Sequence, residues 1–120
     1  MSGTSLDGVD AVLADFDGPT PTVLGHCSAP LPPTLRAEFL ALNSPTDNEL
    51  HRAALAANGL ARLYARQVRM LLQQCGVATN AVRAIGAHGQ TVRHRPREFD
   101  GTGYTLQLNN PSLLAELCGI

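Results

Sequence analysis

The sequence contains no lysine and no tryptophan, and only 4% of its 120 residues are aromatic. Without lysine, the chain can form neither a Walker-type phosphate loop nor a Schiff base with a carbonyl substrate. Its formal net charge of −1 also lacks the basic surplus that is typical of dedicated nucleic-acid binders. We therefore expect no nucleic-acid partner.

Cysteines and long apolar runs are scarce as well. Cys27, Cys75 and Cys118 are widely spaced and form no C-x-x-C pair, which predicts free thiols rather than a disulfide framework or a zinc knuckle. No apolar run approaches the roughly 20 residues that span a bilayer, and no secretory signal opens the chain. These absences predict a cytoplasmic protein without a membrane partner.

The residues that are present suffice for a core, because 44% of them are hydrophobic and 16% are charged. Residues 9–16 are apolar on both faces, which predicts a central strand, and residues 22–28 predict a second strand that completes a hairpin. Further strands are expected over 83–87 and 104–108, with a polar, basic loop over 93–97.

Three helices are expected between and after these strands. Leu35, Phe39 and Leu42 share one face of a short helix, and residues 112–117 predict a final one. A long helix is predicted from the N-cap Thr46 to about residue 74, with Gly76 as its stop. Its apolar stripe consists of Leu50, Ala54, Ala57, Ala61, Tyr64, Val68, Leu71 and Cys75. The pattern indicates an α/β fold with a mixed sheet.

The first candidate site is a segment of small, hydroxyl and acidic residues near the start. Glycine lets backbone N–H groups converge on a phosphate, hydroxyls donate to it, and a carboxylate can hold Mg²⁺ directly or through water. The residues are Gly3, Thr4, Ser5, Leu6, Asp7, Gly8, Val9 and Asp10. An ordinary tight turn is the alternative. A hairpin turn here would also require an earlier strand, although only two residues precede Gly3.

The second candidate site lies after the expected strand 83–87, at its carboxyl end, where ligands gather in α/β folds. His88 and Gln90 offer directional hydrogen bonds to a polar substrate such as a sugar, and Gln107 on the next strand could join them. Ordinary loop chemistry is the alternative. A metal site at His88 and His94 lacks a third ligand at suitable spacing.

Three blocks of this sequence resemble the anhydro-N-acetylmuramic acid kinase family. They are M-S-G-T-S-L-D-G-V-D at 1–10, I-G-A-H-G-Q-T-V at 85–92, and Y-T-L-Q-L at 104–108 with the L-L-A and G-I that follow at 113–115 and 119–120. The resemblance implies a ribonuclease-H-like lobe of the actin, sugar-kinase and chaperone-ATPase superfamily. Residues 1–120 would form part of the N-terminal lobe of a two-lobe kinase.

The resemblance also implies an activity in cell-wall (peptidoglycan) recycling. Such a kinase opens the 1,6-anhydro ring of its sugar with water and phosphorylates O6 from ATP. Residues 3–10 would bind ATP, with Asp7 near Mg²⁺. His88, Gln90, Thr91 and Gln107 would face the sugar. The family is implied to be homodimeric.

The family's catalytic aspartate and adenine-binding lobe are expected beyond Ile120, so no catalytic base is assigned within the chain and we expect it to be inactive alone. The sequence departs from the family pattern at Asn109 and Asn110, where many members have glycine and aspartate. Two other functions remain open. One is a non-catalytic module that binds phosphate or a polar ligand, and the other is half of a chaperone-like or actin-like ATPase.

Overall fold

A computed structural model describes residues 6–120. The strands are β1 (Gly8–Asp15), β2 (Thr22–Pro30), β3 (Gln90–Pro96) and β4 (Gly103–Leu108). The helices are α1 (Pro33–Ala41), α2 (Glu49–Cys75) and α3 (Pro111–Cys118), and a short 3₁₀ turn covers Thr79–Ala81. Strands and helices are thus both present, which confirms an α/β composition.

The strands form two separate antiparallel hairpins. β1 pairs with β2 with a register shift between Leu13 and Ala14, and β3 pairs with β4 with a shift between Thr91 and Arg93. Every strand pair within residues 6–120 is antiparallel, so these residues alone do not form the expected mixed sheet. β1, expected to be central, has a paired strand on one side only within this range.

The predicted strand over 83–87 is wrong, and so is the predicted loop over 93–97. Residues 83–87 pair with no described strand, whereas β3 occupies Gln90–Pro96. A strand needs a partner for its backbone groups, and β4 provides one for β3. The charge of Arg93 does not prevent this, because its guanidinium donates to Glu49 and, at 2.9 Å, to the carbonyl of Leu42.

The start of the long helix also differs from the prediction. Its N-cap is Asn48, in the left-handed region at φ 56°, and not Thr46. The capping box is half formed, because the backbone N–H of Thr46 donates to Glu49 Oε1 at 3.0 Å. The Thr46 hydroxyl instead accepts a hydrogen bond from Arg52 at 2.7 Å. The predicted stop at Gly76 is confirmed, with φ 64°.

The core is built around α2, which contacts β1, β2, β4, α1 and α3. Because α2 is covered from several directions, its buried face is wider than one stripe and includes Leu60 and Leu63, which the predicted stripe omits. Leu50 and Ala54, which that stripe includes, are exposed. The other elements contribute Val9, Leu31, Phe39, Leu42, Val92, Leu108 and Leu114 to the same core.

The cysteines and the helices of residues 6–120 bear on the expected free thiols and the expected lack of a membrane span. All three cysteines are free, as expected, and burial raises the pKa of the Cys27 thiol. Within residues 6–120, none of the helices combines the length and the apolar character needed to cross a membrane.

We expect Leu60→Ala to lower the free energy of unfolding by about 2–5 kcal/mol, since it leaves a cavity at a fully buried position of α2. Leu50→Ala is the matched control, because Leu50 is 90% exposed on the same helix, and its effect should stay within about 0.5 kcal/mol. Urea unfolding of the chain measures both. Equal effects of the two variants would contradict the assigned core.

The ion pair between α1 and α2 predicts a dependence of stability on pH. Arg52 donates to both carboxylate oxygens of Glu38, at 2.7 and 2.9 Å, and this lowers the pKa of Glu38. A lowered pKa in the folded state stabilises the fold above the unfolded pKa of about 4.3, and this stabilisation is lost as pH falls through the folded pKa.

Glu38→Gln should therefore reduce stability at pH 7, and its difference from the parent chain should shrink as pH falls from about 5 to about 3. Denaturant unfolding across this pH range measures the difference. Glu116→Gln, at an exposed position of α3, is the control. A Glu38→Gln difference that is constant with pH would refute the assignment.

Candidate functional site

The described part of the first motif is anchored in the core at two points. Leu6 and Val9 are both buried there, and Asp7, between them, is exposed. Leu6 has φ 57°, an uncommon conformation for leucine that its burial stabilises. Gly3, Thr4 and Ser5 lie outside the described residues. The motif thus enters β1 with an acidic side chain held at the surface.

Gly8 occupies a position where a side chain does not fit. A Cβ atom added there would lie 2.5 Å from the carbonyl oxygen of Ala29, on the neighbouring strand. The backbone N–H of Leu31 also donates to the Asp7 carbonyl at 3.4 Å. The glycine therefore allows β2 to approach closely. The hydrogen bond from Leu31 holds the backbone at Asp7.

The two carboxylates of this motif have different surroundings. Asp10 Oδ1 lies 3.6 Å from Nε2 of His26 on β2. The Asp7 carboxylate forms no hydrogen bond or ion pair with residues 6–120. No three potential metal ligands cluster within that range. A cation held by Asp7 would therefore take its other ligands from water or phosphate.

The second motif spans the start of a strand, which corrects the expectation that it follows one. His88 and Gly89 lead into β3, which begins at Gln90. Gly89 has φ 82°, and a Cβ there would lie 2.5 Å from the carbonyl oxygen of Leu108. Only glycine combines this conformation with so close an approach. The backbone beside His88 is therefore tightly constrained.

The structure brings three of the four expected sugar-side residues to one place. Thr91 and Gln107 are direct partners in the β3–β4 ladder, and the Gln107 amide nitrogen lies 2.8 Å from Nε2 of His88. The other ring nitrogen, Nδ1, lies 3.2 Å from the Gly89 carbonyl oxygen. These side chains form a polar cluster at the start of β3 that can hydrogen-bond a polar ligand.

Gln90, the fourth of these residues, is buried rather than presented at the surface. Its side chain is 2% exposed, and its amide nitrogen donates to the Thr91 carbonyl at 3.3 Å. Its Oε1 atom has no hydrogen-bond partner among the described residues. The alternation of side chains along a strand places Gln90 and Thr91 on opposite faces of the hairpin.

One apolar cavity connects the surroundings of the two motifs. Its volume is about 330 Å³, and residues of β1, of α2 and of the segment 82–87 line it. Val9 and Asp10 line it from β1, and Gly86 and Ala87, which precede His88, line it from the other side. The ends of both motifs therefore border the same space.

Comparison with known proteins identifies the family of the whole chain. The model of the family described as anhydro-N-acetylmuramic acid kinase matches residues 1–120. The chain belongs to this kinase family. A curated anhydro-N-acetylmuramic acid kinase from Variovorax paradoxus is 67% identical over 120 residues, which are all of this chain and 32% of the relative. Relatives of the same name from Albidiferax ferrireducens and Bordetella pertussis are 66% and 65% identical, with 31% of each covered. The chain thus spans about a third of these kinases.

Asn109 and Asn110, the two residues expected to depart from the family pattern, have structural roles in this chain. Asn110 is the N-cap of α3, and its side-chain oxygen accepts from the Leu113 N–H at 3.0 Å. Its amide nitrogen donates to Asn58 of α2 at 2.7 Å. Aspartate could provide the same cap. The N-cap preference for asparagine ahead of Pro111 was a usable sequence signal, whereas the partner Asn58 could not be inferred.

Asn109 connects the same turn to the segment that leads into His88. Its amide nitrogen donates to the Ala87 carbonyl at 3.0 Å, and its side-chain oxygen accepts from the Asn110 N–H at 2.9 Å. Together the two asparagines join α2 and α3 to the His88 segment. This connection limits the movement of the polar cluster relative to the core.

Gly89→Ala should lower the free energy of unfolding by about 1–3 kcal/mol, because alanine would be strained at φ 82° and would clash with Leu108. Gly86→Ala is the matched control, since nothing lies within 4 Å of its added Cβ. Denaturant unfolding measures the free energy of unfolding of each variant, and the His88 ring resonances in NMR spectra report changes around the neighbouring ring. The assigned constraint fails if both variants behave like the parent chain.

Proposed function

We propose that the full-length protein containing this chain is an ATP-dependent kinase of anhydro-N-acetylmuramic acid. The reaction adds water across the 1,6-anhydro bond and transfers a phosphoryl group to O6, which yields N-acetylmuramic acid 6-phosphate. The observation that carries this proposal is the family match over all 120 residues, together with relatives at 65–67% identity that bear this name.

The first motif is proposed to bind the phosphates of ATP with Mg²⁺. Phosphoryl transfer depends mainly on positioning and on neutralising charge, which backbone N–H groups and a metal ion provide. The exposed Asp7 carboxylate, without a partner in residues 6–120, fits a role in holding Mg²⁺ directly or through water. Gly3, Thr4, Ser5, Leu6, Gly8, Val9 and Asp10 would complete the loop.

The polar cluster beside β3 is proposed to bind the sugar. Thr91 and Gln107 present hydrogen-bonding groups near the start of the hairpin, and His88 belongs to the same site through its contact with Gln107. Gln90 would support the polar cluster from the buried side of the hairpin and would not touch the sugar. Attack by water at the anomeric carbon needs a general base. We propose that the full-length protein supplies this base after Ile120, as the family resemblance implies.

The fold is proposed to be part of a ribonuclease-H-like N-terminal lobe of a two-lobe kinase. The two hairpins and three helices that share one core support this proposal. We further propose that the whole enzyme is a cytoplasmic homodimer that acts in peptidoglycan recycling. Its partners would then be ATP, Mg²⁺ and the anhydro-sugar.

Asp7→Asn in the full-length enzyme should lower ATP-dependent phosphorylation of the anhydro-sugar by about 10–100-fold, as expected for a group that orients a metal ion. The loss should lessen as Mg²⁺ is raised. Asp17→Asn is the control, since Asp17 is an exposed acidic residue in the turn after β1. Wild-type activity of Asp7→Asn at every Mg²⁺ concentration would remove Asp7 from the site.

A further inference from the structure

We propose that His88 is a positioning residue that determines which end of the Gln107 amide faces the sugar. The inference rests on the proposed function, because it assigns a ligand-binding role to Gln107. The proposal concerns whether Gln107 offers the sugar a hydrogen-bond donor or an acceptor. The imidazole ring of His88 makes two contacts that determine this orientation.

The first contact determines which ring nitrogen of His88 carries the proton. Nδ1 lies 3.2 Å from the carbonyl oxygen of Gly89, and a carbonyl oxygen can only accept a hydrogen bond. A neutral ring therefore places its proton on Nδ1. The Gly89 backbone lies against the carbonyl of Leu108 on β4.

The second contact follows from the first. With the proton on Nδ1, the Nε2 atom of a neutral ring carries a lone pair and can only accept. The atom 2.8 Å away must therefore donate, and it is the amide nitrogen of Gln107. A Gln107 amide turned by 180° would place its oxygen against the Nε2 lone pair and would be repelled.

The outward end of the Gln107 amide is consequently its oxygen. Gln107 is exposed, and its Oε1 atom forms no hydrogen bond within residues 6–120. This atom accepts and cannot donate, so it suits a sugar hydroxyl or an acetamido N–H. A carboxylate or phosphate at the same position would meet an oxygen instead of a donor. The site therefore selects a hydrogen-bond donor on the sugar.

The first test measures the protonation of the His88 ring by long-range ¹H–¹⁵N NMR on the labelled chain near pH 8. We expect the proton on Nδ1 in the parent chain. Gln107→Glu replaces the donor by a carboxylate, which can only accept, so Nε2 of His88 should carry a proton in this variant. A parent ring protonated on Nε2 would overturn the proposal.

The second test measures kinetics in the full-length enzyme with the anhydro-sugar. His88→Ala frees the Gln107 amide to rotate, and we expect KM for the sugar to rise about 3–10-fold, the value of one hydrogen bond, with a smaller change in kcat. His88→Gln should recover most of this loss, because its side-chain oxygen can accept from Gln107 near the position of Nε2. A purely structural role of His88 would not produce this recovery.

His94→Ala is the matched control. His94 lies on the same hairpin and also contacts a β4 side chain, with Nδ1 2.8 Å from the Thr105 hydroxyl. The His94→Ala substitution should leave KM for the sugar unchanged. A wild-type enzyme without turnover of the anhydro-sugar would refute the proposed function itself. An active enzyme whose KM is the same in His88→Ala would refute only the role of His88.

Discussion

The burial of α2 is the constraint on which the other elements depend. Two-stranded hairpins are at best marginally stable in water, because they bury little apolar surface. In this chain each hairpin packs against α2, and α1 and α3 pack on the same helix. The buried residues Leu60, Ala61 and Tyr64 therefore lie at the centre of a single core cluster.

This dependence extends to the candidate site, since polar contacts tie it to the same helix. Asn58 of α2 accepts from Asn110, and Asn109 reaches the Ala87 carbonyl next to His88. Glu49, in the first turn of α2, pairs with Arg93 of β3. Such contacts hold side chains in defined positions, which a hydrogen-bonding site requires in order to select its ligand.

Some features of the candidate site were predictable from the sequence because their signals are local. The close approach at Gly89 and the acidic residue Asp7 are examples, and the backbone of Gly89 does lie against Leu108. The ligand-binding role of Asp7 stays a prediction. The burial of Gln90 could not be predicted, because it depends on the register of β3 against β4. A shift of one residue in that register would exchange the faces occupied by Gln90 and Thr91.

The same distinction between local signals and tertiary contacts applies to the fold. Local patterns were enough for the first hairpin, the approximate extent of the three helices, the stop at Gly76 and the family to which the chain belongs. They were not enough for the segments 83–87 and 93–97, since an extended segment becomes a strand only when another strand pairs with it. Nor did they reveal how Arg93 is neutralised or which face of α2 is buried. Pairing, charge compensation and burial join residues far apart in sequence, so they become defined only when the chain is packed around α2.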